Sequence, residues 1–155
     1  MRCATKKIPV HIQEFNTVAA LVFAQIYPSF PVVIKIDRDA IAKAMGAKSV
    51  GSISLDWTHR LTSGRAVSDV VAHTILWLIK EDYIQSAGLF PGERATLTEK
   101  GMRVMSFIPN GLSEYLGEKL VAETSNQEKP LFNISAIGDL IGGAIGGFTK
   151  SMSAG

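Results

Sequence analysis

Three histidines, His11, His59 and His73, are the first residues to weigh for chemistry, because imidazole binds metals and moves protons near neutral pH. Their spacing matches no metal-ligand pattern. A lone His73 in a helical stretch reads as a polar-face or satisfied core residue rather than as a base. Asp37 and Asp39 look like a carboxylate pair. A plainer account covers both: Asp37 caps a helix whose first N–H groups need an acceptor, and Asp39 sits in the first turn, where the helix dipole favours negative charge. Neither Ser49-Val50-Gly51-Ser52 nor Gly142-Gly143-Ala144-Ile145-Gly146-Gly147 ends in Gly-Lys-Ser/Thr, so neither is a phosphate loop. Cys3 is the only cysteine, which excludes an intrachain disulfide and a cysteine metal cluster. Met45, Met102 and Met105 read as core fillers, and Trp57 and Trp77 as packing residues, although an exposed Trp57 would mark a partner site. These residues predict no catalytic centre, no metal and no cofactor.

The chain has 155 residues, 46% of them apolar and 19% charged, enough for one domain with a proper core. A formal net charge of +2 neither demands nor excludes nucleic acid, since a basic face can hide in a balanced total. Met1-Arg2-Cys3-Ala4-Thr5-Lys6-Lys7 runs into Ile8-Pro9-Val10-His11 rather than an apolar stretch, which predicts no secretory signal and a cytoplasmic protein.

Elements must position whatever these residues do. Phe15, Val18, Ala19, Val22 and Ile26 fall on one helical face, with Leu21 and Phe23 opposite, so Glu14 to Tyr27 predicts a well-buried helix ended by Pro28 and Pro31. The β-branched run Val32 to Ile36 predicts a strand. Asp37 then caps a short helix, Arg38 to Met45, stopped by Gly46, with Ile41 and Met45 facing the core. Ala47 to Leu61 mixes turn residues with Leu55 and Trp57 and shows no period. A long helix runs from Thr62 or Ser63 to Lys80. Tyr83 to Ser86 and Arg94 to Leu97 predict a hairpin around Gly88 and Pro91-Gly92, with Tyr83 and Ile84 on opposite faces. Thr98 caps Glu99 to Phe107, Pro109-Asn110-Gly111 breaks that helix, and Ser113 caps Glu114 to Thr124.

This order, with Leu78-Ile79-Lys80-Glu81-Asp82-Tyr83-Ile84 and then Ala95-Thr96-Leu97-Thr98-Glu99-Lys100-Gly101, resembles the winged helix-turn-helix superfamily over roughly residues 14–107. In that superfamily the third helix commonly ends in a leucine, an acidic pair and an aromatic-isoleucine step into the wing. The wing commonly returns through a leucine-threonine-x-lysine-glycine turn. The expected class is mainly α with a small β-hairpin, a winged-helix-like domain over 1–124 with an added C-terminal helix. Ala47 to Leu61 departs from the pattern, where a tight turn is usual. The resemblance implies DNA binding through Ser63, Arg65, Ser68, Asp69 and His73 on the third helix and Arg94 in the wing, with Lys100 and Arg103 just beyond. Arg65 and His59-Arg60 suit phosphate or a guanine edge, whereas Asp69, Glu93 and Glu99 would repel phosphate.

Past a polar linker over 125–133, the segment 134–155 is a glycine-rich apolar tail. Gly138, Gly142 and Gly146 recur every four residues, and Gly143 and Gly147 repeat the offset, a stripe that admits a second backbone on a helix. Each interior glycine costs a helix about 1 kcal/mol against alanine. The tail therefore needs a surface to pack on. A second copy is the leading expectation, through Ile134, Ile137, Gly138, Ile141, Gly142, Ile145 and Gly146, giving a homodimer. Packing on its own domain, or lying on a membrane, are the others. A span is disfavoured because Asp139 interrupts a short run.

The expected function is a DNA-binding regulator of winged-helix type acting in transcription, with Arg60, Ser63, Arg65, Ser68, His73, Arg94 and Lys100 at the nucleic acid. The alternatives are a non-enzymatic protein-interaction module on the same fold (adaptor, inhibitor or immunity-type subunit) and a membrane-acting protein using its glycine zipper.

Overall fold

The computed structural model describes residues 8–51, 54–107, 115–125, 138 and 140–146. Helix α1, Val10–Ile26, runs through the centre, and ten of its seventeen residues are buried. It starts a turn before Glu14, because the Pro9 carbonyl accepts from the N–H groups of Ile12 and Gln13. A 3-10 turn, Tyr27–Ser29, with Pro28 inside it, ends the helix. Apolar residues on both faces pay for this position: α1 packs against α3 (Val67–Lys80) and against α5 (Leu116–Ser125).

Only Ile34–Lys35 of the β-branched run pairs as a strand, β1, and Val32 is exposed. The Asp37 carboxylate accepts from the Ala40 N–H at 3.0 Å and caps α2, Arg38–Ala44, as its position predicts. Ile41 is buried, and Met45 packs partly buried on the core. The stretch without a period holds a small hairpin, β2 (Ser49–Val50) with β3 (Ser54–Leu55), antiparallel. Trp57 lies partly buried against the core.

The long helix begins at Val67, not at Ser63. Gly64 takes a φ of +87°, Arg60 bridges to Ala66, and the Leu61 N–H donates to the Arg65 carbonyl, so residues 60–66 form a looped-back pair of extended segments. Ser63 and Arg65 therefore precede the helix rather than lie on it.

Strands β4 (Ile84–Ala87) and β5 (Arg94–Leu97) make the hairpin, and β1 adds to the outer edge of β5, giving an antiparallel sheet of order β1-β5-β4. Tyr83 precedes β4 and is buried, as is Ile84, so the two do not split between core and solvent. The reversal comes from Asp82, with φ of +64°, which turns the Tyr83 ring inward. There it stacks on Trp77, centroids 5.8 Å apart, and meets Phe23 edge-on. The Thr98 hydroxyl donates to the Asp82 carbonyl and accepts from the Gly101 N–H, closing the turn into α4, Glu99–Met105. A Cβ at Gly101 would fall on the Tyr83 carbonyl, so glycine is required by close approach.

The chain is mainly helical with a small antiparallel sheet around one apolar core. The expected break at Pro109-Asn110-Gly111 and the Ser113 cap lie outside the described residues, and of the 125–133 linker only Ser125 is described, as the last residue of α5. No helix among the described residues is long and apolar enough to cross a membrane.

Candidate functional site

Helix α3 and the segments around it carry most of the sequence-predicted residues, but they do not form one surface. Arg60 is exposed, and its guanidinium donates to the Gly64 carbonyl at 3.1 Å. Ser63 is half-buried; its N–H donates to the Glu14 carboxylate and its hydroxyl accepts from the Arg65 N–H. These bonds lash the loop to α1 and hold Arg65 outward. Ser68 is half-buried in the first turn of α3, and its N–H donates to the Trp57 carbonyl. His73 and Asp69 are exposed one turn apart. Leu76, also exposed, continues this side of the helix, which is mixed rather than basic.

Lys100 is placed for structure. Its ammonium donates to the Glu81 carbonyl at 2.9 Å and sits 4.3 Å from the Tyr83 ring centroid, where the ring's negative face attracts it. Arg103 pairs with Glu99 on the exposed side of α4. Arg94 lies on the sheet directly opposite Lys35, both exposed. Arg38 reaches the same end and donates to the Pro91 carbonyl of the hairpin loop. Beyond them Leu89 and Phe90 are 91% and 69% exposed at the loop tip. Near the loop before α3, the Thr58 hydroxyl bonded to Asp56 holds that carboxyl below the usual carboxylate range, helped by the Thr58 N–H and His59.

The C-terminal helix α6, described over 138 and 140–146, docks on α1 of the same chain. A Cβ at Gly142 would stand 2.5 Å from the Asn16 side-chain nitrogen, and one at Gly138 would stand 3.1 Å from the Thr17 hydroxyl. Ile141, Ala144 and Ile145 are buried by this docking. At Gly143 and Gly146 nothing lies within 4 Å of an added Cβ, and Gly146 borders the open space between α6, α1 and α3. The close approach that the glycine stripe provides is thus used within the chain. Ile134 and Ile137, which the sequence assigns to the same face, lie outside the described residues.

Docking leaves a cleft of about 850 Å³ between α1, α3 and α6. Its floor is the edge-to-face pair Phe15 and Trp77, with centroids 4.9 Å apart. Ile12, Val70 and Ile145 are its apolar walls, and Arg65, Asp69, His73 and His11 stand around it. Of the seven residues expected at nucleic acid, only Arg65 and His73 meet here. Asn16 and Thr74 also line it, and sequence reasoning missed both. The available signal was Asn16 inside an otherwise apolar run, a polar residue where the helical period asks for a core one. No group of three or more His, Cys, Asp and Glu side chains placed to hold a metal occurs among the described residues. No protein-family model matches the chain, and comparison with curated proteins and with solved structures found no match.

Proposed function

We propose that the chain is a non-enzymatic regulator of winged-helix type that docks on DNA through its hairpin and the loop leading into α3. The element order supports this reading: α1, an edge strand, α2, α3 and a hairpin whose return strand pairs with the edge strand. Fold likeness alone does not establish function. The observation that carries the proposal is therefore electrostatic. Lys35 and Arg94 face each other across neighbouring strands, with Arg38 at the same end and the carboxylates of Asp37, Asp39 and Glu93 beside them. Like charges directly opposite destabilise a sheet, and a phosphate backbone between them would turn that cost into binding. Leu89 and Phe90, exposed beyond these cations, would wedge against a groove.

The same two side chains favour a second reading, a protein-interaction module that uses the hairpin tip as an apolar anchor. Electrophoretic shift titration against random-sequence duplex at two salt concentrations separates the two. DNA binding predicts affinity falling steeply with salt, and a salt slope smaller by about 1 for each of Lys35→Ala, Arg65→Ala and Arg94→Ala. No shift at micromolar protein in low salt would leave the interaction module as the reading.

A further inference from the structure

The cleft between α1, α3 and α6 has the features of a ligand site independently of any nucleic-acid role. Its volume lies in the range of small-molecule pockets, and its lining is an aromatic floor with aliphatic walls. Two polar side chains interrupt that lining. Asn16 and Thr74 are each more than nine-tenths buried and open onto the cleft, and neither has a side-chain hydrogen-bond partner among the described residues. Neither is among the fully enclosed unpartnered polar atoms, so each meets the water of the cleft, and a bound group with acceptors can take that water's place. The chemistry of that group follows from the balance of donors. Asn16 and Thr74 can both donate, and Arg65, His11 and His73 add N–H donors around the cleft, against the single carboxylate of Asp69.

We propose that this cleft binds a small organic carboxylate with an apolar body, such as a medium-chain fatty acid. The chain lies on Phe15 and Trp77 between Val70 and Ile145, and the carboxylate accepts from Asn16, Thr74 and Arg65. Because α6 supplies one wall, the site exists only when the tail is docked.

The test is calorimetric titration of the full chain with octanoate, octylammonium and octanol, all below micelle formation. Octanoate should bind, and the other two should bind at least tenfold more weakly. Gly146→Phe plugs the cleft from a position where an added Cβ meets nothing within 4 Å, so it should fold and should abolish octanoate binding. Thr74→Val keeps the volume and removes the hydroxyl, and should weaken octanoate about fivefold to tenfold. If Thr74→Val fails to fold, Gly146→Phe carries the test alone. Equal binding of the three amphiphiles, unchanged octanoate affinity in a folded Gly146→Phe, or no octanoate binding by the wild type each overturns the proposal.

Discussion

Two neighbouring glycines of α6 should respond to alanine with opposite signs. On propensity alone either substitution stabilises a helix by about 1 kcal/mol. At Gly143 an added Cβ meets nothing within 4 Å, so that gain should appear in full. At Gly142 the same Cβ lands 2.5 Å from the Asn16 amide nitrogen and 3.0 Å from its Cγ. Asn16 is 4% exposed, and its amide clears the new methyl only by turning into the neighbouring cleft and giving up its packing, at a cost of about 1–3 kcal/mol. The docked helix has little margin to absorb this. Burying Ile141 and Ile145 contributes roughly 3–6 kcal/mol as an upper bound, while the four described glycines cost about 3–4 kcal/mol of helix propensity. Gly142→Ala should therefore largely release α6, and Gly143→Ala should hold it more tightly. Native-state hydrogen exchange at the Ile141 and Ala144 amides reads this directly, with protection falling in the first variant and rising about fivefold in the second. Sedimentation of both against wild type shows whether a second copy is involved. Equal loss of protection in the two variants would refute intramolecular docking through Gly142, and a change of mass in Gly142→Ala alone would move the contact between chains.

Other expectations follow from single contacts. Gly101→Ala should lower stability by about 1–3 kcal/mol despite better helix propensity, because its Cβ falls on the Tyr83 carbonyl, and a denaturant midpoint measures it. Thr98→Ala removes both the α4 cap and the bond to the Asp82 carbonyl and should cost about 1–2 kcal/mol by the same assay. Burial, and then the hydrogen bond to Glu118 and its charge, hold the Tyr27 hydroxyl above its ordinary value, so the folded state keeps that proton longer than the unfolded chain. The resulting stabilisation is complete below about pH 10 and is lost as pH rises through the raised value. Thermal melts should therefore show wild type losing stability relative to Tyr27→Phe above that pH, and parallel curves would count against the contact.

Local chemistry was legible where one residue answers one neighbour. Asp37 and Thr98 cap the helices their positions predict, and Gly46, Gly88 and Gly92 take the positive φ values their turns need. Features set by contacts distant in sequence were not legible. Helix α1 starts early on the Pro9 carbonyl, ahead of the apolar period that marks it. Thr62 or Ser63 reads as the cap that opens α3, yet the Arg60–Ala66 bridge and the Ser63 bond to Glu14, 49 residues away, hold that stretch extended. Tyr83 alternates with Ile84 in sequence, but a positive φ at Asp82 buries both. The cleft joins Ile12, Val70 and Ile145 from three distant segments, so no local spacing announces it.

The tail and the cleft are thermodynamically one object. Docking of α6 is the small difference between Ile141 and Ile145 buried, with Ala144 between them, and four glycines held helical, a margin of about 3 kcal/mol or less. A ligand that binds only the docked form adds to that margin by mass action, about 2.7 kcal/mol at a hundred times its dissociation constant. That increment is comparable to the margin itself. Alanines at Gly143 and Gly146, where an added Cβ meets nothing within 4 Å, would hold the helix docked more tightly, and a longer apolar face would do the same. A glycine-rich helix with two isoleucines on its buried face sits instead near the balance point, where occupancy of the neighbouring cleft sets whether Asn16 and Thr17 on α1 are covered. The glycines therefore do two things at once: Gly138 and Gly142 allow the close approach, and all four keep the docked state weak enough to be shifted.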